Sequence, residues 1–177
     1  LQEAHDAFIE AAAEAGRTKD WSVWANRFTE DAEYHEHLYG KFHGRAEILE
    51  WISKTMGEWP NSEMTTFPHN WCVCDEERGW WICEIENRFD DPGDGQIYEE
   101  SNITILKYAG DGQWSYEEDI YNPANFAEPN FHAAHDAMLC IANSTHIDAA
   151  DRPRSNRECW VKSAPMMQEN FADLPEA

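Results

Sequence analysis

At Phe67 the hydrophobic period changes from helical to two, and that change constrains the fold more than any other feature. From Phe67 onward large apolar residues alternate with polar ones, the period of a strand, in four runs at 67–75, 80–89, 96–108 and 113–121. The turn signals Glu76-Glu77-Arg78-Gly79, Asp91-Pro92-Gly93-Asp94-Gly95 and Gly110-Asp111-Gly112 separate them, so the runs read as a meander of antiparallel hairpins. Before Phe67 the spacing is helical. Ala4, Phe8, Ile9, Ala12 and Ala13 form one stripe that Gly16 ends, Trp21, Trp24 and Phe28 form a second, and Ile48, Trp51, Ile52 and Met56 form a third over 44–56. A short strand at 32–37 lies between the second and third. Helices followed by a curled antiparallel sheet define an α+β layout in which the sheet wraps around the helices and leaves a concave pocket at its open end. After Pro123 a helix is expected over 131–141, and the rest, with Pro153, Pro165 and Pro175, is mixed. The reading is therefore one domain over 1–130 and an extension over 131–177, packed on that domain or on a partner subunit.

At 177 residues, 42% hydrophobic and with nine Trp, the chain can bury a sizeable core. Thirty-five acidic against thirteen basic residues give a formal charge of −22, which repels phosphate backbones and anionic lipid. Nucleic-acid and membrane-surface partners are therefore not expected. The five cysteines, Cys72, Cys74, Cys83, Cys140 and Cys159, form no CxxC pair and no Cys/His metal spacing, which fits reduced thiols in a cytoplasm. Neither a membrane span nor a signal peptide is visible: no run approaches the ~18 apolar residues of a span, and 1–15 is acidic.

The stretch Phe28-Thr29-Glu30-Asp31-Ala32-Glu33-Tyr34-His35-Glu36-His37, followed by Gly40, Phe42, Gly44-Arg45 and Ile48, resembles the entry segment of SnoaL-like proteins, in the nuclear transport factor 2-like superfamily. The run Trp114-Ser115-Tyr116-Glu117-Glu118-Asp119-Ile120-Tyr121-Asn122-Pro123 resembles the last strand of that superfamily, which includes ketosteroid isomerases, limonene epoxide hydrolases and polyketide cyclases. The resemblance covers about residues 3–130 and implies a cone-shaped fold, a homodimer and a small-molecule pocket. It places Glu36 where ketosteroid isomerases carry the Asp that shuttles a proton. It places Tyr34 and Glu36 where the epoxide hydrolases position water, and Asp119 on their base. Their Arg-x-Asp strand falls on Glu84-x-Glu86, so the Arg that orients those carboxylates is missing here.

The residues support a carboxylate site independently. Tyr34 and Glu36 share one strand face, as do Glu84 and Glu86, and as do Glu117, Asp119 and Tyr121. For Glu84 and Glu86 a solvated face and a buried one remain open, because Trp80 and Ile82 accompany them while Trp81, Cys83 and Ile85 occupy the other side. Carboxylates converging in an aromatic cavity disfavour each other's ionisation, which yields an acid and a base from identical groups. The expected catalytic residues are Asp119 and Glu36 as bases and Tyr34 as hydrogen-bond donor. Glu84, Glu86, His69, Trp71, Tyr98 and Tyr121 are the expected ligand contacts. His35, His37, His43 and His69 show no metal-binding spacing, so neither a metal nor a cofactor is expected. The reading is a cofactor-independent lyase, isomerase or hydrolase acting on a small apolar oxygenated molecule of terpenoid, steroid or polyketide type. The alternative is a non-catalytic ligand-binding or dimerisation module of the same fold.

Overall fold

The computed structural model describes residues 1–58, 61–91 and 95–122, so the extension expected over 131–177, with its helix at 131–141, lies outside the described residues. Residues 1–90 and 99–122 fall within one compact unit, and Asp91 with 95–98 belongs to another. In the larger unit helices α1 (Gln2–Thr18) and α2 (Ser22–Ala25) lead into strands β1 (Phe28–Glu36) and β2 (Gly40–His43) and helix α3 (Arg45–Thr55). A 3-10 turn then precedes strands β3 (Met64–Thr66), β4 (His69–Asp75), β5 (Trp80–Phe89), β6 (Glu99–Gly110) and β7 (Gln113–Ile120). Among the described residues no helix is long and apolar enough to cross a membrane.

Helix α1 buries Phe8, Ala11, Ala12 and Ala15 on one stripe and ends at Lys19, whose left-handed backbone lets its amide reach the Ala15 carbonyl at 2.7 Å. Gly16 therefore does not stop the helix, as its sequence position suggested. It permits close approach instead, since a Cβ there would lie 2.2 Å from the Thr65 carbonyl oxygen of β3. Gly16→Ala is expected to push α1 off β3 and to cost about 1–3 kcal/mol, read as a lower urea midpoint. A midpoint unchanged from the parent would show that no such contact exists.

The strands form a seven-stranded sheet in the order β2-β1-β7-β6-β5-β3, with β4 also on β5. The meander from β4 to β7 is antiparallel throughout, and Asp111 and Gly112, both at positive φ, close its last hairpin. The β1–β7 pair is parallel, so the sheet is mixed rather than wholly antiparallel. Strand β1 also starts earlier than the alternation implies, at Phe28, which confines α2 to four residues. Strands β2 and β3, at four and three residues, are too short to show a period of their own.

Register sets the site. Glu36 lies opposite Asp119, Asp119 opposite Thr104, and Thr104 opposite Cys83, giving one rung across β1, β7, β6 and β5. On the neighbouring rung stand Tyr34, Glu117, Leu106 and Trp81. All of these but Asp119 are buried, and together they form the concave face toward the helices, with Phe8, Trp24, Phe28 and Ile48 beneath.

Candidate functional site

Asp119 is the focus of this face. Its Oδ1 accepts from Asn102 Nδ2 at 2.8 Å and from the Thr104 hydroxyl at 2.5 Å, and its Oδ2 accepts from the Tyr34 hydroxyl. Asn102 is held in turn, its Oδ1 accepting from Asn87 Nδ2 at 2.9 Å. Burial pushes the Asp119 carboxyl up from 3.8 to about 6, and the charge of Glu36 adds to that rise. The hydrogen bonds from Thr104, Tyr34 and Asn102 hold it down. The residue as a whole nevertheless stays partly exposed.

Two further acids flank it. Glu36, 5% exposed, accepts from the Leu38 and Tyr39 amides at 2.7 and 2.5 Å on one oxygen and from the Tyr121 hydroxyl on the other. Both of its oxygens are thereby engaged by donors. Glu117, 3% exposed, has an Oε2 with no partner among the described residues. Burial first, and the charge of Asp119 second, raise its carboxyl well above the ordinary value, which favours its protonated form. Burial likewise lifts the Tyr34 and Tyr121 hydroxyls well above 10, which keeps both as proton donors. Trp51 stacks on this end of the site, 4.8 Å from the Tyr34 ring and 4.6 Å from Phe42.

Tyr34→Phe removes one of the donors holding Asp119 ionised. The Asp119 pKa is expected to rise above 6 by about one pH unit, read by carbon-13 NMR titration of its carboxyl. No upward shift would mean that Tyr34 does not bond the carboxylate.

The structure thus brings together Tyr34, Glu36, Asp119 and Tyr121 of the expected site. It does not bring Glu84, Glu86 or Trp71 to them. Along β5 it is Trp81, Cys83 and Ile85 that are buried, so Glu84 and Glu86 turn to the opposite face, where Asn70 Nδ2 bonds both. An irregularity in the β4–β5 register between His69 and Trp71 sends those two to different sides: Trp71, 45% exposed, lies opposite Glu84, while His69 lies opposite the buried Ile85. Tyr98 is buried ahead of β6, in the other compact unit. His35 and His37 lie on the outer face against Glu118 Oε1, at 3.3 and 3.0 Å. A groove of about 680 Å³, bounded by Arg17, Trp21, Met56 and Glu63, lies between α1, α3 and β3, away from these carboxylates.

Two participants, Asn102 and Thr104, escaped the sequence reading of the site, and Glu117 was placed on the Asp119 face without a role. Glu117 was visible two positions before Asp119 on the same strand face. Asn102 and Thr104 alternate with Ile103 and Ile105, a pattern that ordinarily turns the isoleucines inward.

The helices, the curled mixed sheet and the inward carboxylates define an α+β cone domain of the nuclear transport factor 2-like class. The chain belongs to the family described as the SnoaL-like domain, whose model matches residues 6–116. Solved structures agree on the fold. A SnoaL-like polyketide cyclase from Jannaschia sp. superposes with a TM-score of 0.54 at 12% identity, over 71% of this chain and 87% of that one. A protein of ketosteroid isomerase-like fold from Catenulispora acidiphila, solved with trimethylamine, gives 0.53 at 18% identity over 70% and 95%. A nuclear transport factor 2-like protein from Anabaena variabilis gives 0.53 at 13% over 68% and 88%. Separately, a stretch of 68 residues, 36% of this chain, is 43% identical to the alpha subunit of DNA polymerase III from Caulobacter vibrioides, and it spans 6% of that subunit.

Proposed function

We propose that the concave face is the active site of an isomerase, lyase or hydrolase that acts by proton transfer on a small, mostly apolar oxygenated molecule. One observation carries this: a partly exposed residue, Asp119, with its carboxyl pKa near 6, set beside a buried acid, Glu117, whose protonated form is favoured. A base poised near the working pH and an adjacent proton donor suit enolisation, dehydration or the addition of water. Asp119 takes the proton. Glu36, with its oxygens engaged, keeps Asp119 basic through its charge, and Tyr34 aims the Asp119 carboxylate. Trp51 and Phe42 supply a flat apolar wall suited to a terpenoid, steroid or polyketide skeleton.

The test is proton exchange. A panel of steroid enones, terpenoid ketones and epoxides, and aromatic polyketides is incubated in deuterated buffer and read by mass spectrometry. Deuterium incorporation or conversion, falling as pH drops below about 6, supports the reading. Ligands that bind yet exchange nothing at any pH would make the protein a carrier instead.

The outer sheet face exposes Trp71, Val73 and Trp80, which supports pairing of two copies there, and sedimentation of the full chain reads it. The free thiols Cys72, Cys74 and Cys83 fit a cytoplasmic setting.

A further inference from the structure

A second cluster sits on the same concave face, toward β5. His5 on α1, His69 on β4 and Cys83 on β5 each present a donor atom, and the three donors lie within 4.8 Å of one another. They are 64 and 14 residues apart along the chain, so no spacing motif announces them.

The polar accounting here is incomplete in a particular way. His5 is 3% exposed, yet neither ring nitrogen has a hydrogen-bond partner among the described residues, and His69 Nδ1 is also buried and unpartnered. Burial lowers the His5 imidazole to about 4, so the ring is neutral and carries one donor and one acceptor nitrogen, and an orphaned buried polar atom costs about 1–3 kcal/mol. Packing alone does not account for this choice of residue. His5 stacks on Trp81 at 4.0 Å, a position that Phe would fill without orphaned nitrogens. The Cys83 thiol has one weak contact, to the Thr104 carbonyl at 3.9 Å. Three under-used donors of the nitrogen and sulfur type therefore face one another inside the protein.

We propose that His5, His69 and Cys83 form a binding site for a divalent transition metal of the zinc class, which fastens α1 to the β4–β5 hairpin. Two imidazoles and one thiolate are a borderline-soft donor set that selects zinc over magnesium or calcium. On a tetrahedral ion with bonds of ~2.0–2.3 Å, neighbouring donors stand about 3.5 Å apart. Rotation of the two rings about their χ angles closes the distance from 4.8 Å. The Cys83 thiol gives up its proton to bind, and water takes the fourth corner. The site joins elements of the scaffold and needs no substrate, although Cys83 shares a rung with Asp119 through Thr104.

Cobalt(II) is the probe, added to the reduced, metal-stripped full chain. One equivalent is expected to bind with the near-ultraviolet band of a cobalt–thiolate bond and the visible bands of a four-coordinate ion. Zinc should then displace it stoichiometrically and raise the melting temperature. Cys83→Ser should abolish the near-ultraviolet band, and His5→Phe should weaken binding at least tenfold, whereas Cys72→Ser, Cys74→Ser and Asp119→Asn should leave both intact. The outer cluster of His35, His37 and Glu118 has no sulfur and cannot give the thiolate band. Absence of that band in the parent protein, or its survival in Cys83→Ser, overturns the assignment. Because the parent spectrum decides by itself, a variant that fails to fold does not protect the proposal.

Discussion

Asp119→Asn is expected to lower turnover by about 10²–10⁴-fold, the share usually carried by a general base, and at the same time to make the protein more stable. Both effects have one cause. Asparagine keeps the Oδ1 acceptor for Asn102 and Thr104 and offers its amide to the Tyr34 oxygen, so the site's geometry survives while its proton acceptor is gone. The stability gain follows from linkage. A carboxyl whose folded pKa is raised favours the native state while protonated, and that contribution is lost as pH climbs from 3.8 through about 6. Above pH 6 the parent therefore carries a penalty of up to about 3 kcal/mol, which partial exposure of the residue reduces to about 1–2. The variant escapes it. In paired thermal melts the two proteins should coincide near pH 4 and separate to about 3–6 °C by pH 7.5, with Asp119→Asn the higher. A variant that melts below the parent at pH 7.5 would show that the carboxylate is stabilised by its donors rather than burdened by burial, and Asp119 would lose its claim to be the poised base.

That trade between stability and chemistry also explains what could be read from the amino acids and what could not. The central strands of the meander were legible because side chains alternate along them, with burial alternating over 81–85 of β5 and 102–106 of β6, and the family resemblance of 28–48 was legible because it is local. Which face turns inward was not. On β6 the buried residues include Asn102 and Thr104, while Ile103 and Ile105 lie on the outer face; a rule that places apolar groups inside inverts this strand. A functional recess reverses the usual sorting because its polar groups bond one another, and an outer surface rich in isoleucine and tryptophan completes the reversal. The same ambiguity made Glu84 and Glu86 plausible pocket residues. Only the register of β5 against β6, which sets Cys83 rather than Glu84 opposite Thr104, resolves it. The parallel joint between β1 and β7, separated by 85 residues at Tyr34 and Asp119, likewise leaves no local trace. Nor does the meeting of His5, His69 and Cys83 from three elements.

Trp114→Ala should be the most damaging of the structural changes, costing about 3–5 kcal/mol out of the ~5–15 kcal/mol typical of a folded domain. The indole is fully buried where β1 meets β7. It packs edge-on against Tyr108 at 5.5 Å and Phe8 at 6.3 Å, and its own amide donates to the Arg27 carbonyl at 2.8 Å. Removing it opens a hole between α1 and the sheet, beside Phe28, that neighbouring backbone cannot fill. Trp114→Phe should cost much less, about 1 kcal/mol, because it retains most of the aromatic volume and deletes an indole N–H that has no partner among the described residues. The joint also positions the chemistry, since the parallel pairing of 33–36 with 116–119 puts Glu36 beside Asp119. Loosening it with alanine lets water reach the carboxylate, and the Asp119 pKa should then fall from about 6 toward 3.8 in any population that remains folded. Urea titration reads the first effect and carbon-13 titration the second. A Trp114→Ala protein whose urea midpoint matches that of Trp114→Phe would mean that the surrounding aromatic residues collapse into the space, and that the β1–β7 joint is held by its backbone ladder instead.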